Sequence, residues 1–227
     1  MKKKLYVLSV GGSLIVPESG KIGQDFLKKL LFFLEKELKK GNKFIIVAGG
    51  GKTARDYIKG ARAVKKVSDK EADYLGILST RLNANLLKTL LGNKAFTKVL
   101  DNPNEEIKTN KIIIAGGYKP GQSTDAVATQ LAVTYGALEV INLSNIDYVY
   151  DKDPKLKGAK KIENLTWNEL FKITGRNWQP GKNTPFDPVA SKIAQKNNLK
   201  VIMISGKDFK SLNNYFQGKK FRGTVVS

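Results

Sequence analysis

The sequence predicts an α/β fold with a mainly parallel central sheet covered by helices on both faces. Three observations carry this. Short apolar, β-branched runs recur at 5–10, 43–48, 112–114 and 201–204, as strands buried on both faces do. Helical segments separate these runs, so strands and helices alternate along the chain. Three of the strand-like runs end in glycine, at Gly11-Gly12, at 49–51 and at 116–121. In parallel sheets such strand ends hand over to a helix beside the ligand.

In order, 5–10 reads as a strand that stops at Gly11-Gly12-Ser13. Residues 24–40 form an amphipathic helix with Phe26, Leu27, Leu30, Leu31, Leu34 and Leu38 on one stripe, closed by Gly41. The run 43–48 (KFIIVA) is a second strand, broken by Gly49-Gly50-Gly51, and 52–66 continues as a basic helix. Residues 69–91 are a long helix with leucines 75, 78, 82, 86 and 90 near helical spacing. A strand at 96–100 and a loop over 102–110 lead to the most informative stretch, 111–132 (KIIIAGGYKPGQSTDAVATQLA). There a buried strand, a Gly/Pro loop and a helix start capped from Ser123, Thr124 or Asp125 make an anion site.

The strand 138–143 opens into the polar loop 144–155. Thr166 and Glu169 are spaced as a capping box for a helix over 166–174. Residues 176–185 read as irregular, 187–197 as a helix, 201–204 as a strand, 207–216 as a helix and 224–226 as a final edge strand. The whole chain, 1–227, is expected to be one domain with two lobes on one sheet.

Composition narrows the chemistry. Zero cysteines exclude disulfides and thiolate sites, and zero histidines exclude an imidazole base or metal ligand. Catalysis is left to Asp, Glu, Lys, Arg and the backbone. No apolar run approaches the roughly 18–20 residues that cross a bilayer, so a cytoplasmic protein is expected. Forty Lys plus Arg against 20 Asp plus Glu give a formal charge of +20. That field attracts polyanions, but the lysines are scattered and form no RNA-binding motif with aromatics. There is no G-x-x-x-x-G-K-[ST] run and no H-R-D set, so neither a P-loop NTPase nor a protein kinase is indicated. Several N–H-lined loops on one sheet edge suit a donor nucleotide and an acidic or phosphorylated acceptor bound end to end.

The segments GGS at 11–13, VAGGGKTAR at 47–55, RLNA at 81–84, GGYKPGQSTDAVA at 116–128, NLSNIDYVYDKDPK at 142–155, FDPVASKIA at 186–194 and the late Gly223-Thr224 together resemble the amino acid kinase superfamily. Within it they are most similar to the archaeal-type uridylate kinases, in order and over essentially the whole chain. The resemblance implies an open three-layer α/β/α sandwich in a homo-oligomer, a hexamer in this subfamily. It implies transfer of a phosphoryl group from ATP to UMP, giving ADP and UDP, with Mg2+ held by the nucleotide phosphates and no protein metal ligand assigned.

By motif position the resemblance places Gly12, Ser13, Gly51, Arg55, Ser144, Tyr150 and Asp153 at ATP. It places Gly50, Asp73 and the loop Tyr118, Lys119, Pro120, Gly121, Gln122, Ser123 and Thr124 at UMP. Asp125 matches the organising aspartate, and Lys192 a lysine that reaches the donor phosphates. The acceptor lobe would span 1–137 and the ATP lobe 138–227.

Two positions depart from the pattern. Ser9 stands where many relatives carry a first-strand lysine, and Tyr148 stands where the adenosine loop usually has glycine. A positive φ there would strain tyrosine. Other readings stay open. One is a kinase with another small phosphate or carboxylate acceptor, although the histidine of isopentenyl phosphate kinases is missing. Another is a non-catalytic nucleotide- or oxyanion-binding protein in a regulatory or storage role. A third is an RNA-binding protein, which predicts strongly salt-dependent affinity that ATP and UMP do not compete away.

Overall fold

The computed structural model describes residues 4–177 and 184–227. The first half runs β1 (Leu5–Val10), a one-turn helix α1 (Gly12–Ile15), α2 (Gln24–Lys39), β2 (Lys43–Ala48), α3 (Gly51–Val64), α4 (Asp69–Leu91), β3 (Ala95–Leu100), β4 (Ile112–Ala115) and α5 (Thr124–Thr134). The second half runs β5 (Glu139–Ser144), β6 (Val149–Tyr150), β7 (Lys161–Ile162), β8 (Asn164–Leu165), α6 (Trp167–Thr174), α7 (Pro188–Lys196), β9 (Lys200–Ser205), α8 (Phe209–Phe216) and β10 (Thr224–Val226).

Eight strands share one sheet in the order β3-β4-β2-β1-β5-β9-β10-β8. Every neighbouring pair is parallel except β9 and β10. The central strands are buried on both faces because helices cover both. Val7, Ile45 and Val140 face a core shared with α5, α6 and α7, while Leu8, Ile46 and Ile141 face α2, α4 and α8. Alternate residues of one strand thus feed two cores, which is why these strands read as continuous apolar runs.

The helix boundaries follow their caps. Ser68 with Glu71, and Thr166 with Glu169, form complete capping boxes. Asp187 caps α7 with Pro188 in its first turn. Among the described residues no helix is long and apolar enough to cross a membrane.

The structure corrects the sequence reading in two places. Residues 224–226 are not an edge strand: β10 lies between β9 and β8. The loop 144–155 contains β6, which pairs antiparallel with β7 as a small separate hairpin. The chain after β1 passes directly into α1, as the glycine strand end suggests. Of the α4 leucines, Leu86 packs against the core, but Leu78 and Leu82 are 60% and 62% exposed, and the buried side carries Ala72, Ile77, Thr80, Asn83, Ala84 and Leu87. Of the irregular stretch 176–185, residues 178–183 lie outside the described residues.

Candidate active site

The parallel strands β1, β2, β4 and β5 deliver their following loops to one sheet edge. The chain leaves β1 for β2 on one side and later places β5 on the other, so strand order reverses at β1 and a crevice opens there. Backbone contacts close its floor. Gly11 N–H donates to the Leu143 carbonyl at 2.7 Å and Gly49 N–H to the Val10 carbonyl at 2.9 Å. Gly12 packs so tightly on the second glycine loop that a Cβ there would lie 2.0 Å from Gly51 N. Gly51 itself has φ 65°, a conformation open to glycine at little cost. The N–H groups of Gly12, Gly50 and Gly51 have no acceptor among the described residues. They sit at or beside the first turns of α1 and α3, which makes them free donors for an anion. Arg55 reaches this point from α3, 3.5 Å from Ser13 Oγ and ion-paired with Glu18.

Between β1 and β5 lies a cavity of about 550 Å3, lined by Ser9, Gly11, Thr124, Asp125, Asn142 and Ser144 on the sheet side and by Tyr150, Asp153 and Pro154 from the following loop. Ser123, not Asp125, is the N-cap of α5, accepting from Ala126 N–H at 3.1 Å. The Asp125 carboxylate is free to turn to the sheet, where its Oδ1 accepts from Ser9 Oγ at 2.8 Å and from Asn142 Nδ2 at 2.9 Å. Burial pushes the Asp125 carboxyl up to about 6; the Ser9 hydroxyl opposes the rise and the nearby Asp187 carboxylate adds to it. Asn142, from β5, is 5% exposed and its Oδ1 has no hydrogen-bond donor among the described residues. An orphaned acceptor of this kind costs about 1–3 kcal/mol.

The hairpin forms the outer wall. Tyr150 O–H donates to Asp147 Oδ1 at 3.1 Å, and Lys161 Nζ lies 3.3 Å from Asp147 Oδ2. Burial raises the Asp147 carboxyl, but its bonds from Lys161 and Tyr150 outweigh that and hold it below the ordinary value. Tyr148 does not have a positive φ, so the replacement of glycine brings no backbone strain. Its ring is buried under the Lys161 ammonium, 4.9 Å from the centroid. It separates the cavity from a second one of about 610 Å3 bounded by α8 and Arg222. Asp153 is exposed and turns its Oδ1 to Lys155 N–H at 3.0 Å.

On the β2 and β4 side, α4 organises the loops. Asp73 Oδ2 accepts from Gly121 N–H at 2.7 Å, which joins two of the residues expected at the acceptor. Thr80 Oγ1 accepts from Gly117 N–H at 2.6 Å, and Asn83 Nδ2 donates to the Gly49 carbonyl at 2.7 Å and the Gly50 carbonyl at 3.1 Å. Arg81 Nε donates to the Gly117 carbonyl at 3.3 Å. Lys119 sits over the Tyr118 ring at 5.4 Å. Pro120, Gln122, Ser123 and Thr124 continue this loop into α5. Lys192 stands apart: it is exposed on α7, and it is not among the residues lining the 550 Å3 cavity.

Sequence reasoning assigned no role to Thr80, Asn83, Asn142, Asp147 or Asp187. Thr80, Asn83 and Asn142 are buried polar residues inside otherwise regular elements, and their polarity at core positions was the available signal.

A crevice at a strand-order reversal, lined by N–H groups without an acceptor among the described residues and by a buried carboxylate, makes this an α/β protein built to receive an anionic ligand at its sheet edge. Residues 4–205 match the amino acid kinase family, and the chain belongs to that family. Within it the chain is similar to the uridylate kinase of Methanococcus aeolicus, 40% identical over 93% of this chain and 96% of that protein. It is also similar to that of Pyrococcus abyssi, 37% identical over 97% and 98%. The crystal structure of uridylate kinase from Archaeoglobus fulgidus superposes with a TM-score of 0.80 at 33% identity, covering 98% of this chain and 99% of the other.

Proposed function

We propose that this chain is a uridylate kinase that moves the γ-phosphoryl group of ATP to UMP, giving ADP and UDP. An oxygen of the UMP phosphate forms the new bond to the γ-phosphorus, and the bond from that phosphorus to the β–γ bridging oxygen breaks. The acceptor oxygen is already ionised at neutral pH, so no general base is needed. The reaction needs in-line placement and charge neutralisation. The observation that carries the reading is the pairing of Asp73 with Gly121 beside the Gly49–Gly51 turn, while the cavity after β5 gathers Ser144, Tyr150 and Asp153. Two ligand regions therefore adjoin one glycine floor, one expected for UMP and one for ATP.

Gly12, Ser13, Gly51 and Arg55 would meet the donor phosphates, and Gly50 with the 118–124 loop the acceptor. Asp125 is proposed to orient the reacting groups. Lys192 is the second proposed catalytic residue, supported by its motif position and by the absence of a hydrogen bond or ion pair engaging it among the described residues. Mg2+ would arrive with ATP and offset the charge of its phosphates. Among the described residues no group of three or more Asp or Glu side chains is placed to hold a metal. The residues at the cavity floor offer oxygens, which suit that ion.

We further read 1–137 as the acceptor lobe and 138–227 as the ATP lobe of one domain acting in the cytoplasm as part of pyrimidine nucleotide synthesis. The exposed apolar stripe of α4 supports a homo-oligomer, with a hexamer as the expected size.

The test is ADP release from Mg-ATP with UMP, CMP, dUMP, AMP, isopentenyl phosphate, N-acetylglutamate or no acceptor. Turnover confined to UMP is the expected result. Turnover with a different acceptor overturns the Asp73 and 118–124 assignments. A folded, ATP-binding protein with no turnover favours the non-catalytic reading.

A further inference from the structure

We propose that Asn83, which itself touches neither substrate, is the positioning residue that aims the N–H groups of Gly50 and Gly51 at the phosphoryl group in transfer. This rests on the uridylate kinase reading, in which Gly50 meets the acceptor and Gly51 the donor. Asn83 lies on the buried side of α4 and is 2% exposed. Its Nδ2 donates to the carbonyls of two consecutive residues, Gly49 at 2.7 Å and Gly50 at 3.1 Å. Two acceptors on one side of the amide fix its orientation, because only the NH2 end can serve both. Ala54 N–H also reaches the Gly50 carbonyl, at 3.4 Å, so the bond from Asn83 is the shorter one.

The consequence is geometrical. In a planar trans peptide the C=O of one residue and the N–H of the next point in opposite directions, and no described peptide bond is cis. Holding the Gly49 carbonyl toward Asn83 turns the Gly50 N–H away from it. Holding the Gly50 carbonyl does the same for the Gly51 N–H. Neither N–H has an acceptor among the described residues. The helix side of Gly50 is already full: a Cβ there would lie 2.6 Å from Ala54 Cβ and 3.6 Å from both the Gly76 carbonyl oxygen and the Thr80 methyl. The opposite side is left to a ligand.

Three consecutive glycines do not set this aim by themselves, since each is free to adopt many backbone orientations. The direction has to be imposed from outside the turn, and Asn83 imposes it on two successive peptides with one amide. A polar side chain at a buried helix position is costly unless its donors are used; here both are used on the glycine turn. In phosphoryl transfer, charge spreads over the equatorial oxygens of the moving group. Donors whose direction is fixed beforehand stabilise that charge without reorganising. Asn83 therefore acts on the rate through the two glycines, and only weakly on ground-state binding.

The experiment is steady-state kinetics of the full chain with Mg-ATP and UMP for the wild type, Asn83→Leu and Asn83→Asp, with the folded fraction read by near-ultraviolet circular dichroism. Asn83→Leu nearly keeps the volume and loses both donors. Its kcat, corrected for folded fraction, should fall about 100-fold, while each KM stays within about threefold. In Asn83→Asp the introduced carboxyl offers one O–H donor when protonated and repels both carbonyls when ionised. Its kcat relative to wild type should therefore rise at least about tenfold as pH is lowered from 9 to 6. A corrected kcat for Asn83→Leu within about threefold of wild type overturns the inference. So does an Asn83→Asp ratio that is flat with pH, because an asparagine that only fills space gives no such profile. If Asn83→Leu does not fold, the pH ratio decides alone. A folded wild type without turnover overturns the kinase reading instead. The inference is then decided by pyrophosphate affinity in calorimetry: a loss of about tenfold in Asn83→Leu or Asn83→Asp supports donors aimed by this residue, and unchanged affinity overturns them.

Discussion

Asp125 illustrates what a single residue costs and supplies. Its carboxyl is pushed from an ordinary 3.8 up to about 6, chiefly by burial. A raised carboxyl favours the fold most when protonated, below about pH 4, and that contribution is lost as pH rises through 6. At about 1.4 kcal/mol per unit, ionised Asp125 costs the ligand-free fold on the order of 3 kcal/mol at pH 7.5. Asp125→Asn keeps an acceptor for Ser9 and Asn142 without the charge. It should be more stable than wild type at pH 7.5 by about 2–3 kcal/mol and close to it near pH 4, as read by urea unfolding at both values. A stability difference that does not change with pH would remove the assignment of this cost to ionisation. Turnover of the same variant should fall at least about 100-fold, since the proposed organising charge is gone. Asp73 offers a contrasting case. Its bond to Gly121 N–H ties α4 to the 118–124 loop. Asp73→Asn should raise the UMP requirement about tenfold or more and leave that for ATP within about twofold. Steady-state kinetics with each substrate varied in turn will show whether both rise together, which would contradict an acceptor-side role.

At the scale of elements, two devices hold the loops in place. Helix α4 braces the glycine turns through Thr80, Arg81 and Asn83. Strand β10 braces the β6–β7 hairpin through Thr224, whose buried Oγ1 accepts from Val149 N–H at 2.9 Å and donates to the Ile162 carbonyl at 2.5 Å. Thr224→Val preserves shape but leaves both backbone groups unpaired. It should cost about 1–3 kcal/mol, speed amide exchange over 146–162 and raise the ATP requirement more than that for UMP. Unchanged exchange across the hairpin would show that Thr224 is not its anchor. These devices also show what the sequence could disclose. The strands were legible because burial on two faces leaves uninterrupted runs such as IIIA, α2 because Gly41 closes its apolar stripe, α6 because Thr166 and Glu169 mark its start, and α4 from its leucine spacing, without its Ser68–Glu71 capping box. The glycine turns were legible from their place at the ends of apolar runs. The β6–β7 hairpin was hidden because two-residue strands carry no periodicity. The place of β10 inside the sheet was hidden because pairing with β8 is set by tertiary contact, not by the local pattern. Asn142 could not be distinguished from a polar interruption of an apolar strand until its neighbour across the crevice was known.

For the whole molecule, net charge and the outer face of α4 act in opposite directions. A formal charge of +20 on 227 residues repels a second copy, but that repulsion is screened beyond about 8 Å at physiological ionic strength. Tyr74, Leu78, Leu82 and Leu90 leave an apolar stripe along α4, with Tyr57 and Val64 exposed on the neighbouring α3. Removing one such leucine from water contributes about 1.5–3 kcal/mol, so two copies burying the stripe against each other would outweigh a screened repulsion. Self-association should therefore strengthen as salt is raised, the reverse of an assembly held by ion pairs. Light scattering should give a mass several times the 25.1 kDa of one chain at physiological salt. Leu78→Lys combined with Leu82→Lys should lower that mass toward a single chain. Because Asp73, Thr80, Arg81 and Asn83 ride on the same helix, dissociation should disturb the UMP side before the ATP side. The double variant is expected to keep its ATP affinity within about twofold and to lose UMP affinity. An unchanged mass would place the oligomer contact elsewhere and leave the leucines of α4 without a structural explanation.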